Sequence, residues 1–389
     1  MQRAALKGLK VLDLTTTIAG PHCTRLMADI GADVTKIEGP EGDMMRSRPP
    51  LRANASTSFG QLNAGKRSVV LDLKDKAAQK AAMALAAKAD VVVENYRPGV
   101  TKRLGLDYAA VSAVNPRVIY CSISGYGQTG PSAELAAYAP VIHAASGYDL
   151  AHMAYQPGRT QPDNCGIYIA DVLTGTYAFG AIMAALNQRH MTGEGQHLDV
   201  SMLESMLTLT LTEMQAAQFT LPPPPKRPIF SPVATKDGYI HMAIASERTF
   251  QGVAAAAGRE DWLTDPRFAK YMDRRGNWAE LMDEFEEWSR TLTSQEVLAA
   301  LERHTVPASA YRTVAEVVRD PQLAHRDAFT VVEDKGGSFK ALNPPFRMSR
   351  SATKAGGFAA ALGEHTADAL QEAGLTPEEI AALTGKSKV

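Results

Sequence analysis

The sequence predicts an α/β protein: a doubly wound parallel sheet in a large domain, followed by a smaller α+β domain. Three observations carry this. Short apolar runs alternate with helix signals through the first half of the chain, the pattern of a parallel sheet covered on both faces. The run "LPPPPKRP" (221–228) then interrupts the chain, and each proline in it fixes φ and lacks an N–H, so it reads as a stiff, extended connection. Beyond it the signals change to a hairpin and capped helices. At roughly 100–200 residues per domain, 389 residues give two or three domains.

The first strand is "LKVLDLT" (9–15), an apolar run too short for a helix. Gly20-Pro21 opens "HCTRLMADIGA", a helix with proline in its first turn and Gly31 near its end. "DVTKIE" (33–38) and "SVVLDL" (68–73) are the next strands. Asp75 caps the helix "KAAQKAAMALAAKA", and "DVVVE" (90–94) follows it. Asp107 caps "YAAVSAVN", and "RVIYCSIS" (117–124) is the fifth strand. The segment "VLTGTYAFGAIMAALNQRH" after Asp171 carries Gly and Ala on every side. Such a helix admits another backbone at close range and belongs at the centre. "TGEGQ" (192–196) is a turn from which "HLDVSMLESML" leads away. "TKDGYIHMA" reads as a hairpin on Asp237-Gly238. Capping boxes are expected at Thr293/Glu296 and, with Pro377, at Thr376/Glu379. Residues 229–325 form the second domain on this reading, with 201–228 as the linker.

Composition excludes several classes. With 41 basic and 42 acidic residues, the net charge of −1 lacks the basic excess of a nucleic-acid binder. No apolar run of about 18 residues is read, so no membrane partner is expected. Cys23, Cys121 and Cys165 are far apart, which suggests buried, reduced thiols in a cytoplasmic protein and neither a zinc site nor a disulfide framework. The histidines show no HExxH or paired spacing, so no metal is expected.

"GYGQTG" (125–130) matches the dinucleotide fingerprint G-x-G-x-x-G. It follows a late strand, however, and prolines 131 and 140 interrupt the helix that should come next. It therefore reads as a glycine-rich loop. Ser124 lacks the preceding glycine of a nucleophile elbow. Basic residues near strand ends (Lys66, Arg67, Lys74, Arg97 and Arg103) are candidates to pair with phosphate, Arg97 of "ENYRPG" above all. Arg46 and Arg48 of "GDMMRSR" could grip a carboxylate or lie on the surface.

"GIYIADVLTGTYAFGAI" (166–182) holds one charged side chain, Asp171, among apolar and small residues. An apolar strand, then Asp, then helix reads as an N-cap. The same placement suits a nucleophile, because the positive end of a helix keeps a carboxylate ionised.

The ordered segments "GADVTKIEGPEGD", "NAGKRSVVLDLK", "VVVENYRPGV", "VNPRVIYCSISGYGQTGP", "ADVLTGTYAFGAIMAAL" and "TGEGQHLDVSMLES" resemble the family III CoA-transferases. The likeness runs from "LKGLKVLDLT" to "LGEHT" at 362–366. It implies a large Rossmann-like domain made from residues 1–200 and completed by 326–389, plus the small domain. It also implies a homodimer whose two subunits are threaded like linked rings. The family's nucleophilic aspartate falls on Asp171. Its coenzyme A contacts fall on Ile18, Ala19, Leu71, Lys74, Asn95, Tyr96, Arg97, Arg103 and Tyr138. The resemblance implies no permanent cofactor; a coenzyme A thioester and a small carboxylate are the substrates.

Four departures narrow this. Gly39 and Ala136 stand where some members carry a basic residue. "LPPPPKRPIF" replaces a tetraglycine lid, which argues against oxalate or formate. Tyr138-Ala139 replaces the His-Asp pair of the related acyl-CoA racemases, which favours a transferase. The rivals are a racemase or isomerase of the same superfamily and a non-catalytic coenzyme A-binding homologue.

Overall fold

The fold is read from a computed structural model describing residues 4–156, 158–162, 165–220 and 230–385. Six strands form the main sheet: β1 (Lys10–Asp13), β2 (Asp33–Glu38), β3 (Arg67–Val70), β4 (Val91–Glu94), β5 (Ile119–Ser124) and β6 (Gln196–Ser201). All pair in parallel, in the order β3-β2-β1-β4-β5-β6. This is the doubly wound order in which the winding reverses between β1 and β4.

Strand periodicity sorts the core into two layers. Val11, Val91, Val93, Ile119 and Cys121 face one side, where α1 (Ala19–Asp29) and a long helix (Ile169–Thr192) bury Cys23, Met27, Ala178 and Ile182 against them. Leu12, Val92 and Tyr120 face the other. There they meet α2 (Lys76–Ala87) and α3 (Tyr108–Val114), together with Ala369 and Leu370 from a C-terminal helix (Thr366–Ala373). Each buried Val or Leu contributes about 1.5–3 kcal/mol. The remaining helices of this unit used below are α4 (Ala139–Ala145), α5 (the long helix Ile169–Thr192) and α6 (Met202–Leu207).

The caps follow the sequence. Asp75 accepts from Ala77 N–H and Asp107 from Ala110 N–H. The boxes at Thr293/Glu296 and Thr376/Glu379 are both present. Tyr239 pairs with Ala234 across the Asp237-Gly238 hairpin.

Other elements differ from expectation. The strand read ahead of Asp171 is absent, and α5 begins at Ile169 with Tyr168 as its N-cap. The turn-and-lead-away at 192–206 contains an edge strand, β6. Helices Met202–Leu207 and Leu211–Ala216 occupy part of the stretch read as linker, and residues 221–228 lie outside the described residues. By length and composition α5 is long and apolar enough to cross a membrane, contrary to the sequence reading; here its buried positions pack on β-strand and α1 side chains. Cys165 is only half-buried, and all three cysteines are free.

The chain divides into two compact units. One comprises Met1–Leu150, Asp163–Met214 and Gln322–Val389 and holds the six-stranded sheet. The other comprises Ala151–Pro162 and Gln215–Pro321. Its three-stranded sheet and helices Glu247–Ala257, Trp278–Ser289 and Ser294–Arg303 enclose Trp262, Phe268, Phe285 and Leu301.

Candidate active site

A cleft of about 220 Å³ opens at the carboxyl ends of β1, β4 and β5, where the sheet order reverses. Open α/β sheets bind ligands at this place. Ala19, Asn95, Tyr96, Arg97, Tyr138 and Asp171, all expected from the sequence, line it. The chain also brings Thr16, Thr17, Ser124, Gly125 and Met202 to its wall.

Asp171 stands in the first turn of α5, three residues past Tyr168, so it is not the N-cap. The helix has no side-chain cap from its own N-cap residue. Burial pushes the Asp171 carboxyl up to about 6, and hydrogen bonding by the backbone N–H of Ala19 holds it down in part. No cation among the described residues pairs with it. The carboxylate is thus ionised at neutral pH, yet poorly solvated and bound by one backbone donor.

Small residues make that contact. A Cβ on Gly175 would lie 2.4 Å from the Ala19 carbonyl oxygen, so α5 meets α1 backbone to backbone one turn beyond Asp171. Gly20 likewise seats α1 on the end of β1, where a Cβ would lie 2.3 Å from Thr15 Cβ. Gly125 fits where a side chain would collide with Ala137, 2.2 Å away. The glycine-rich loop therefore shapes the cleft wall, and no helix follows it directly.

The β1 loop is tied down from two sides. Thr16 N–H donates to Asn95 Oδ1 at 2.9 Å, and Asn95 Nδ2 donates to Thr16 O at 2.8 Å. Thr17, with φ of 70°, donates its N–H to the Asp43 carboxylate. A threonine in the left-handed region persists only where its surroundings hold it. Beneath lies a buried ionic network. Lys66 Nζ bonds Asp13, Thr24 and Asn63 within 2.9 Å, and Lys36 Nζ bonds Thr15 O at 2.6 Å and Asp43 at 3.0 Å. Burial opposes the charge on Asp13, but Lys66 and Lys36 overcome it and hold the carboxyl far below its usual range.

These pairings correct several expectations. Lys66 is inside the protein and cannot reach phosphate. Arg67 starts β3 and pairs with Glu372 and Asp33, away from the carboxyl ends. Arg46 grips Glu38 through two 2.7 Å bonds and lies 3.8 Å over the Phe59 ring, so its guanidinium is already committed. Ile18 is buried with Met45 and Phe59, and Leu71 belongs to the core beneath α2. Lys74 and Arg103 are exposed, and with Leu71 and Ile18 they do not line the cleft. Arg97 does line it, exposed and with no ion-pair partner among the described residues.

Glu94 escaped the sequence reading. It ends β4, and burial, with help from Asp199, raises its carboxyl to about 7. Its Oε2 accepts the Tyr96 N–H at 2.9 Å, so it shapes the turn that presents Asn95, Tyr96 and Arg97. An acid closing the apolar run "DVVVE" was the available signal.

Residues 6–366 match the family described as CoA-transferase family III. The chain belongs to that family. It is 31% identical to the succinate–glutarate CoA-transferase of Agrobacterium fabrum, over 95% of this chain and 96% of that one. It is 30% identical to the formyl-CoA:oxalate CoA-transferase of Streptomyces coelicolor, over 98% of each. The crystal structure of a CaiB/BaiF family protein from Brucella suis superposes with a TM-score of 0.82 at 32% identity, covering 96% of this chain and 100% of that one. Membership of this family supports an enzyme that transfers coenzyme A.

Proposed function

We propose that this chain is an acyl-CoA:carboxylate CoA-transferase in which Asp171 is the nucleophile. The observation that carries the reading is the Asp171 carboxylate: part-desolvated, without a paired cation among the described residues, and set in the same cleft as Arg97. Loss of solvation makes the oxygen more reactive than a free carboxylate, and its raised pKa still leaves it ionised at pH 7.

Asp171 attacks the carbonyl carbon of the donor thioester. The C–S bond breaks, coenzyme A leaves as the thiolate, and a mixed anhydride forms. The thiolate then attacks the aspartyl carbon of that anhydride. The donor acid departs as its carboxylate, and an aspartyl-CoA thioester remains. The acceptor carboxylate attacks this thioester, releasing the thiolate and forming a second anhydride. Attack of the thiolate on the acceptor's acyl carbon yields the new acyl-CoA and frees Asp171. Each step exchanges one acyl bond for another, so neither ATP, a metal nor a permanent cofactor is required. The Ala19 N–H is placed to steady charge on the aspartyl oxygens. Water must be kept out, since it hydrolyses the anhydride.

Arg97, Tyr96 and Tyr138 are the groups we assign to coenzyme A, the cation for phosphate and the rings for the pantetheine arm. Asn95 acts by holding Thr16. The acids named for one relative, succinate and glutarate, support a small dicarboxylic acid as substrate. A dimer is also part of the proposal. Ile167, Tyr168, Val172, Tyr177 and Met191 lie exposed on or beside α5, and an apolar helix with these side chains open calls for a second subunit to cover them. We place the enzyme in the cytoplasm.

The racemase reading is weaker. Tyr138 and Ala139 offer no imidazole, and His143 is 1% exposed with its Nε2 occupied. A matrix of acyl-CoA donors against mono- and dicarboxylic acids tests the proposal, with parallel-line (ping-pong) kinetics expected for the working pair. Deuterium uptake at Cα from heavy water without an acceptor acid would overturn it in favour of the racemase. Tight coenzyme A binding with no exchange of labelled acid for any donor would point to a non-catalytic homologue.

A further inference from the structure

The first turn of α5 is capped from outside. Tyr168, its N-cap, supplies no side-chain acceptor. Instead the backbone N–H of Ala170, the residue before Asp171, donates to His143 Nε2 at 3.2 Å. An N–H can donate only to an unprotonated ring nitrogen, so the proton of this imidazole sits on Nδ1. Nδ1 is buried and has no partner in the described structure, and the whole residue is 1% exposed. Ala170, Ile142 and Met202 form one small core around it, and the Tyr148 ring lies 5.8 Å away.

We infer that His143 is a positioning residue: as the neutral Nδ1–H tautomer it holds the Ala170 N–H and so fixes the turn that carries Asp171. The inference rests on Asp171 being the nucleophile. Protonation of Nε2 removes the only side-chain acceptor this turn has among the described residues and sets a cation against the positive end of α5. Burial lowers the tendency of His143 to take that proton, while the charge of Asp149 opposes burial. Tyr126 and Tyr148 are the titratable side chains packed in this core, and its elements also carry Asp149, His152, Asp171, Tyr177, Arg189, His190 and Glu204. A single buried imidazole therefore couples proton concentration to the geometry of the nucleophile without touching substrate.

The test compares kcat, KM and pH profiles of the full-length wild type, His143→Gln, His143→Leu and Asp171→Ala on one acyl-CoA and acid pair. A glutamine carbonyl reaches the position of Nε2 and accepts at any pH; leucine cannot accept. His143→Leu is expected to lose roughly 10–100-fold in kcat with KM for acyl-CoA unchanged, as for a small misplacement of a reacting group. His143→Gln is expected to restore most of kcat and to reduce the acidic limb from a two-proton to a one-proton dependence. Wild-type kcat in His143→Leu, or an acidic limb in His143→Gln identical to the wild type, overturns the inference. If His143→Leu does not fold, the limb of His143→Gln decides alone. A fully active Asp171→Ala instead overturns the nucleophile, which is a separate failure.

Discussion

Gly175→Ala probes the contact on which the Asp171 geometry depends. The added Cβ would lie 2.4 Å from the Ala19 carbonyl oxygen, 3.1 Å from His22 Cδ2 and 3.2 Å from His22 Cβ. The nearest of these is backbone, which cannot rotate away. Restoring ordinary contact requires α1 and α5 to separate by roughly 1 Å. Overpacking of this kind costs about 1–3 kcal/mol, and alanine returns about 1 kcal/mol of helix propensity. The net destabilisation is therefore small, about 0–2 kcal/mol, and a thermal melt is the weaker readout. Activity is the stronger one. The separation draws the Ala19 N–H away from Asp171, the one backbone group that lowers its pKa. A reacting group misplaced by 1 Å costs about 10²-fold in rate. The variant should thus combine a kcat loss of about two orders of magnitude with an acidic limb displaced above the wild-type midpoint near 6. Steady-state CoA transfer measured from pH 5 to 9 reads both (an assay range chosen to bracket the carboxylate). A kcat within about twofold of wild type and an unmoved limb would refute the reasoning.

Asp171 also predicts opposite pH trends in activity and stability. The rate should rise through about 6 as the carboxylate ionises. Its folded pKa lies above the unfolded value, so the bound proton stabilises the fold at low pH and that contribution is lost as pH rises through about 6. Urea melts should show Asp171→Asn more stable than wild type at pH 8 by about 2 kcal/mol, discounted for partial exposure, with the gap closing toward pH ~4; a less stable variant would contradict this. Asn95→Ala deletes both bonds to Thr16, and KM for acyl-CoA should rise about tenfold with a smaller change in kcat. Lys66→Met leaves Asp13 buried without its closest cation, so a loss of about 3–5 kcal/mol in urea is expected. An unchanged melt would mean that Lys36 alone suffices.

The parts of the fold that were legible in the sequence are those with a local cause. "VVVE" reads as a strand because both its faces are buried. Asp75, Asp107, Thr293 and Thr376 cap helices because a short polar side chain bonds the backbone two or three residues on. β6 was missed because it is an edge strand with exposed His197 and Leu198-side alternation too short to stand out ahead of a helix. The charge of Asp171 within an apolar run was conspicuous, but its turn was not capped locally: Ala170 N–H bonds His143, 27 residues before it. Distance along the chain also hid the other supports. Asn95 meets Thr16 across 79 positions and Lys66 meets Asp13 across 53. A basic residue beside a strand looks the same in sequence whether it faces solvent, as Arg97 does, or is sealed in an ion pair, as Lys66 is. Motif order placed Leu71, Lys74 and Arg103 near the cleft but could not say which side chains line it.

The most direct test of the central claim is to trap the acyl-enzyme. Protein is mixed with a turned-over acyl-CoA in the absence of acceptor, quenched, digested and mapped by mass spectrometry. A mass increase of a coenzyme A thioester, or its hydroxylamine-derived hydroxamate, on the peptide containing Asp171 and absent in Asp171→Asn is the predicted result. An adduct on any other residue, or turnover that survives Asp171→Asn, would contradict the account.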